Sequence, residues 1–337
     1  MPLKPIVLIC SVVFALAECS QARDLQTGRQ PVAVTAEAMP LDRTRPNRAR
    51  LGPLRYRGGV WLKSGHTAFG GLSGLWVAPD DSRFLAVSDH GFWVRGDLIQ
   101  DGEGGLADVK NVTLGNLRGL RGAPLAGTEG HDAEALARTA EGDFLVAFER
   151  RHRVLAYDGA GASPPLDGPG RRMTVPADLH RAPPNGGAEA LAVLDDGRWV
   201  LLSEDLVIDG RRLAFLRDTS GGWHTMTLPG RGGYKPTDAA QLPGGDLLVL
   251  ERRFDLLAGF AARLRRVPAA HLTPGGTLAG PVVADFKAPL TVDNFEGLAI
   301  TGGGEGRPPH VYLVSDDNYR GLQRTLLMMF EWAPTTP

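Results

Sequence analysis

Paired acidic residues recur along the chain, and they are the residues best suited to do chemistry. One member of each pair opens a short apolar segment, and the other ends the next segment, after a turn rich in Gly and Asp. The pairs are Ser73 with Asp89, Glu134 with Glu149, Glu189 with Glu204, Asp238 with Glu251, and Glu296 with Asp316. Nine of these ten side chains are carboxylates. Brought together, they would repel one another unless cations bind or protons are retained.

Oxygen ligands that converge from several directions suit Ca²⁺, which takes about six to eight of them. The pairs therefore predict a calcium site. We expect its metal ligands to be Glu134, Glu189, Asp238, Asn294, Glu296 and Asp316. The alternative is structural, because strand-end acids also cap backbone amides or pair with arginines of a neighbouring repeat. An acid that also opens the first segment, in four of five repeats, favours the metal.

Basic and imidazole side chains adjoin these acids. Arg150 and Arg252 each follow an acid directly, and a guanidinium can hold the phosphate or carboxylate of a substrate through two parallel hydrogen bonds. Ion pairing between repeats is the alternative for both. His90 and His131 also flank the acidic positions. Either histidine, or Asp89, is a candidate catalytic general base, while a hydrogen-bonded structural histidine is the alternative.

The elements that must position these residues repeat along the chain. The first members of the pairs are spaced by 61, 55, 49 and 58 residues, which leaves room for four strands per repeat. Four-stranded units repeated radially predict an all-β fold, a β-propeller. We count five blades, with a sixth possible because spacings near 60 could conceal one. The strand near 54–62 is predicted to close the ring beside 326–332, which leaves no free edge. Hairpin geometry then places both members of each pair at one rim of the central channel.

Composition excludes several classes of function. The chain has 37 Lys and Arg against 38 Asp and Glu, so it lacks the basic excess typical of nucleic-acid binding and we expect no such partner. It also lacks a Gly-x-Ser-x-Gly elbow, a His-Glu-x-x-His motif and a P-loop. These absences disfavour a serine hydrolase, a zincin and an ATPase.

The N-terminal segment 1–22 is predicted to be a signal peptide, because an apolar run is followed by small residues. We expect a periplasmic or secreted protein with no transmembrane segment after cleavage; lipid anchoring at Cys19 is an alternative. A loosely ordered leader is predicted over 23–53, the propeller domain over 54–332 and a tail over 333–337. Closed rings need no partner strand, so we expect a monomer.

Five motifs appear in an order that resembles the phytase-like domain family, also called "esterase-like activity of phytase". They begin at Gly71 (GLSGL), Asp132 (DAEAL), Phe148 (FERRHR), Leu250 (LERRF) and Asp293 (DNFEGL). The resemblance implies an exported bacterial propeller. Propeller phytases use several Ca²⁺ ions and basic residues around phosphate; with only 5 Lys in this chain, arginines would have to substitute.

Two functions follow from this resemblance and from the acidic pairs. The first is a Ca²⁺-dependent hydrolase of phosphate or carboxylic esters at the channel mouth, with a small anionic or ester substrate. A lactonase of the six-bladed calcium type is a near variant. The second is a non-catalytic propeller that binds a ligand or a protein and holds calcium only structurally.

Overall fold

The computed structural model describes residues 28–159, 166–230, 232–304 and 307–333. Within them the fold is all-β, with two short 3-10 helices at Ala177–Arg181 and Ala269–His271. Four-stranded antiparallel blades form a five-bladed β-propeller. The predicted fold class is confirmed, and the spacings near 60 conceal no sixth blade.

The strands follow one another blade by blade. Before the first complete blade come β1 (Gln30–Pro31), β2 (Thr35–Ala38), β3 (Arg50–Leu51) and β4 (Leu54–Lys63). Blade 1 contains β5 (Leu72–Val77), β6 (Arg83–Ser88), β7 (Phe92–Gln100) and β8 (Leu106–Asn116). Blade 2 contains β9 (Ala133–Arg138), β10 (Phe144–Phe148), β11 (Arg153–Tyr157) and β12 (Arg171–Arg172). Blade 3 contains β13 (Ala188–Val193), β14 (Trp199–Ile208), β15 (Arg211–Arg217) and β16 (Trp223–Leu228). Blade 4 contains β17 (Lys235–Gln241), β18 (Leu247–Asp255), β19 (Gly259–Val267) and β20 (Val282–Phe286). Blade 5 contains β21 (Asn294–Thr301), β22 (His310–Asp316) and β23 (Thr325–Trp332), completed by β4.

Blade 5 combines the three C-terminal strands with β4, from the N-terminal part of the chain. Strand β4 pairs antiparallel with β23, with Leu54 opposite Trp332 and Trp61 opposite Leu326. The innermost strands β5, β9, β13, β17 and β21 pack side by side, and β21 returns against β5. The predicted closure of the ring is therefore confirmed.

Residues 28–53 differ from the expectation of a loosely ordered leader. Strand β1 pairs with β8, while β2 and β3 pair with β4, and Leu41 is fully buried. Strands of two to four residues are too short to show a hydrophobic period, and they gain their order by pairing with the propeller's edges. The proposed signal peptide lies outside the described residues, as do 23–27 and 334–337. Among the described residues, no helix is long and apolar enough to cross a membrane.

Small residues let the inner strands approach closely around the channel. In β9 and β13 the alanines Ala133, Ala135, Ala188 and Ala190 are completely buried. In blade 5, a Cβ added at Gly297 would lie 2.5 Å from the carbonyl oxygen of Ser73 in blade 1, far closer than carbon and oxygen can approach. The tight ring brings the side chains that open the five inner strands together at one mouth.

Candidate functional site

A β-bulge at the start of each inner strand sets the direction of the key side chains. In blade 3, Ala188 lies opposite Ser203 and Ala190 opposite Leu202, so Glu189 is the extra residue of the bulge. The same shift leaves Glu134 as the extra residue in blade 2 and Glu296 in blade 5. Bulges redirect side chains and are frequent beside active sites.

Three positions of each blade therefore recur at the channel mouth: the residue two before the bulge, the bulge residue, and the residue at the end of the second strand. In blade order these sets are Gly71, Ser73 and Asp89; Asp132, Glu134 and Glu149; Gly187, Glu189 and Glu204; Lys235, Thr237 and Arg252; and Asn294, Glu296 and Asp316.

Blade 4 departs from the predicted pairing by one residue. Pro236 lies opposite Glu251 and Asp238 opposite Leu250, which makes Thr237 the bulge residue and places Arg252 opposite Lys235. The sequence pattern aligns Asp238 and Glu251 with the acids of the other repeats, whereas the backbone pairing sets the actual register. Seven of the ten paired positions at the mouth are therefore carboxylates, rather than nine, and blade 4 supplies cations.

Asp238 and Glu251 both make structural contacts away from the mouth. Asp238 accepts hydrogen bonds from the backbone N–H of Ala239 at 2.8 Å and of Leu298 at 2.6 Å, which ties blade 4 to blade 5. Glu251 accepts from Arg263 at 2.6 Å and from Arg265 at 3.1 Å. Asp238, expected as a metal ligand, does not line the mouth cavity, because its side chain points between the blades.

The mouth encloses a cavity of about 220 Å³. Carboxylates dominate its wall, and they come from blades 1, 2, 3 and 5. The acidic lining residues are Asp89, Asp132, Glu134, Glu149, Glu189, Glu204, Glu296 and Asp316. Two guanidinium groups, those of Arg150 and Arg252, also line the wall, so the cavity has a large excess of negative charge.

Three of these acids form a tight group in blade 2. Carboxylate oxygens of Asp132, Glu134 and Glu149 all lie within 4.8 Å of one another. Asp132 was not among the expected ligands, although its position two before Glu134 matches that of Asn294 before Glu296. That repeated spacing is the sequence signal that could have identified it.

Burial and mutual repulsion perturb the acids of the mouth. Burial, reinforced by the charges of Asp132 and Glu296, raises the pKa of Asp89 to about 7. Burial likewise raises the pKa of Glu149 to about 7 and that of Asp316 to about 8. The pKa values of Glu134 and Glu189 are raised well above the ordinary range for the same reason. Without a cation, the mouth retains protons at neutral pH.

Asn294 provides a direct test of whether the mouth suits a metal. Its side-chain amide nitrogen donates to Glu296 Oε1 at 2.8 Å and to Asp316 Oδ2 at 3.2 Å. Its Oδ1 is buried and has no hydrogen-bond partner, which costs free energy unless a ligand completes it. An amide oxygen among carboxylates is a donor set that Ca²⁺ accepts. The residues present therefore fit a calcium ion.

Both arginines of the mouth are held by acids. Arg252 Nε lies 2.8 Å from Glu296 Oε1, and its Nη2 lies 3.7 Å from Glu204 Oε1. Arg150 pairs with Asp132, and its backbone φ of +51° lies in the left-handed region, where non-glycine residues are uncommon and often functional. Lys235 contacts Glu204 at 3.3 Å and extends the cationic side of blade 4.

The two histidines lie beside the mouth rather than in its wall. His90 stacks on Tyr319 with ring centroids 4.0 Å apart, and His131 approaches His90 edge-on at 6.0 Å. A ring nitrogen of His131 contacts the carbonyl oxygen of Thr128. Neither lines the cavity, whereas Asp89, the third candidate general base, does. Asn185 and Asn318 also line the mouth cavity. They lie in loops outside the repeated motif, so the repeat pattern does not identify them.

A five-bladed propeller with an acidic, calcium-compatible mouth defines the structural class. Residues 67–319 match the phytase-like family model, described as "Esterase-like activity of phytase". The chain belongs to this family, as its sequence motifs indicated.

Two solved structures show distant similarity to this chain. Virginiamycin B lyase from Staphylococcus aureus is 7% identical, with a TM-score of 0.42, over 89% of this chain and 99% of that chain. The PQQ-bound form of aldose sugar dehydrogenase from Streptomyces coelicolor is 13% identical, with a TM-score of 0.43, over the same shares of the two chains. The chain has no match among curated proteins.

Proposed function

We propose that the protein is a Ca²⁺-dependent hydrolase of phosphate or carboxylic esters and that the reaction takes place at the channel mouth. The observation that carries the proposal is the convergence of three carboxylates of blade 2 within 4.8 Å. The unpartnered Oδ1 of Asn294 in the same cavity supports it. Membership of the phytase-like family is consistent with this chemistry.

Calcium would be held by carboxylates from several blades. Asp132, Glu134 and Glu149 supply the closest group of oxygens. Glu189 and the pair Glu296 and Asp316 lie around the same cavity. When bound, the ion would polarise a phosphoryl or carbonyl oxygen of the substrate.

The chain's own residues would orient the substrate and move the proton. Arg150 and Arg252 line the cavity and present guanidinium groups to an anionic substrate. Asp89 lines the same wall, and burial raises its pKa to about 7. A carboxylate with such a pKa is a suitable general base for a water molecule at neutral pH.

A specific observation favours a second candidate, a non-catalytic binding propeller with structural calcium. Arg150 and Arg252 are already paired with Asp132 and Glu296. A closed ion network of this kind stabilises a surface without needing a substrate. In that case the same mouth would bind a ligand or a protein.

Hydrolysis assays with matched variants separate the two candidates. The chain from Arg23 onward is assayed on p-nitrophenyl phosphate and on p-nitrophenyl acetate, with Ca²⁺ or EDTA. Glu189→Gln and Glu296→Gln are compared with Glu141→Gln, whose exposed carboxylate lies in a turn outside the mouth. We expect Ca²⁺-dependent turnover that falls at least about tenfold in the two mouth variants and not in Glu141→Gln.

Two results would go against the hydrolase. Unchanged metal binding and turnover in both mouth variants would contradict it. Stabilisation by Ca²⁺ without turnover of any ester would support the binding propeller. We also propose that the protein is exported to the periplasm or secreted, which cell fractionation tests directly.

A further inference from the structure

A second cavity, of about 450 Å³, lies beside the acidic mouth. It is formed around the turn between β10 and β11, with β12 and the 3-10 helix Ala177–Arg181 as neighbours. Its charged and titratable lining residues are all basic: Arg150, Arg151, His152, Arg153, Arg172 and His180. Among the described residues, no Asp or Glu lines it.

Arg153 is the central cation of this basic cavity. It is only 8% exposed, its Nη1 donates to the carbonyl oxygen of Arg151 at 2.9 Å, and its Nη2 donates to the carbonyl oxygen of Gly130. The guanidinium also stacks over the ring of Phe148 at 4.0 Å. Backbone carbonyls and an aromatic face hold the group in place but do not neutralise its charge.

Acids balance only part of the positive charge of the basic cavity. Arg150 pairs with Asp132, and Arg151 pairs with Glu129 at 2.6 Å. In the part of the chain that the structure describes, no carboxylate makes an ion pair with Arg153 or Arg172. Two positive charges therefore remain uncompensated.

The electrostatics of Arg153 favour an anion as its partner. Burial, reinforced by the charges of Arg172 and Arg151, lowers its pKa to about 10. Burying a charged group without a partner is costly. An anion placed between Arg153 and Arg172 would relieve this cost, and forked guanidinium groups match the oxygens of phosphate and carboxylate.

We propose that the basic cavity is a binding site for a ligand part with two negative charges on oxygen atoms. A phosphate group, or two neighbouring carboxylates, would have this character. The volume lies in the range of ordinary small-molecule sites. Arg150 lines both this cavity and the mouth, so one ligand can extend from one to the other. The anion is then either a second charged group of the substrate hydrolysed at the mouth, which rests on the proposed function, or a separate small anion.

Isothermal titration with inorganic phosphate tests the site directly. The chain from Arg23 onward is titrated in EDTA as wild type, as Arg172→Gln and as Arg171→Gln. Arg171 is a matched control, because it neighbours Arg172 in β12, pairs with Asp143 at 2.7 Å and does not line the cavity. Both side chains are exposed, so folding should survive either change. We expect phosphate binding that weakens at least about tenfold in Arg172→Gln and is unchanged in Arg171→Gln.

Arg252→Gln separates this site from the mouth. If phosphate binds the basic cavity, Arg252→Gln retains the wild-type affinity. Loss of binding in Arg252→Gln but not in Arg172→Gln would place phosphate at the mouth and overturn the proposal. Equal affinity in all variants, or no binding up to about 10 mM phosphate, would overturn it as well.

Kinetics then identify the source of the anion. If the anion is part of the substrate, Arg172→Gln raises KM only for esters that carry a second, remote phosphate, with kcat little changed. If it is a separate molecule, free phosphate binds through Arg172 and KM for every ester stays the same. Phosphate binding that depends on Arg172, in a protein that hydrolyses no ester, would support the anion site and contradict the hydrolase.

Discussion

Arg252 and Glu296 form an ion pair across two blades, with Nε 2.8 Å from Oε1. Arg252 occupies the strand-end position that carries an acid in each of the other four blades. It also lies 3.7 Å from Glu204 on its other side. One guanidinium from blade 4 therefore offsets acids of blades 3 and 5, while blades 1 and 2 retain the excess of carboxylates that suits a cation.

Removal of this guanidinium should destabilise the metal-free protein. Arg252→Gln leaves Glu296 without its cation in a buried site, whereas Glu204 keeps Lys235 at 3.3 Å. Breaking a buried pair from one side costs about 3–5 kcal/mol. We expect a loss of about 3 kcal/mol in the free energy of unfolding, measured by urea denaturation in EDTA. Arg253→Gln is the control, because Arg253 contacts the ring of Tyr234 and does not line the mouth. Equal losses in the two variants would show that Arg252 has no special role.

The acids of the mouth should make the stability of the metal-free protein fall as pH rises. A carboxyl group whose pKa is higher in the folded than in the unfolded protein keeps its proton longer in the folded state. Ionisation therefore favours unfolding once the pH passes the unfolded value near 4. The pKa values of about 7 for Asp89 and Glu149, and of about 8 for Asp316, place the decline between about pH 4 and pH 8.

Urea denaturation at a series of pH values in EDTA measures this decline. Excess Ca²⁺ should flatten it, because metal ligands bind the ion in their deprotonated form. A rise in stability over the same range in EDTA would be incompatible with protonated acids at the mouth.

Asp238 should contribute to stability without affecting the response to calcium. Both of its carboxyl oxygens accept backbone N–H groups, one from Ala239 and one from Leu298. In Asp238→Asn an amide group replaces one acceptor and leaves a backbone N–H unpaired, which costs about 1–3 kcal/mol. Thermal melts should show a lower Tm with an unchanged increase on addition of Ca²⁺. Loss of that increase in Tm would show that Asp238 is a metal ligand.

The propeller and most of its mouth could be predicted from the sequence, because both depend on a repeated local pattern. An apolar strand, a turn and a second apolar strand recur with their acids at fixed positions, as in Ala133–Leu136 and Ala188–Leu191. Ring closure by β4 and β23 followed from the length left over. The closing strand itself lacks the motif, and its assignment depended on the number of residues left over for one more repeat.

The remaining features depend on register and on long-range contacts. In blade 4 the one-residue difference arises because Pro236-Thr237-Asp238 resembles the other motifs while its bulge falls on Thr237. No local signal distinguishes these alternatives, since backbone pairing with β18 decides them. The short strands β1 and β2 and the basic cavity also could not be predicted. Each depends on contacts between residues that lie far apart in the sequence. Arg171 and Arg172, for example, belong to a two-residue strand that begins well beyond the end of β11 at Tyr157.

The most direct test of the central claim is a thermal melt of the chain from Arg23 onward, in EDTA and then with added Ca²⁺ or Mg²⁺. A calcium ion bound only by the folded protein raises Tm, and we expect an increase of several degrees with Ca²⁺ that is abolished in Glu134→Gln. Glu141→Gln, changed in an exposed turn of the same blade, should retain the full increase. No change with Ca²⁺ in the wild type, or the same increase in Glu134→Gln, would contradict a calcium centre at the channel mouth.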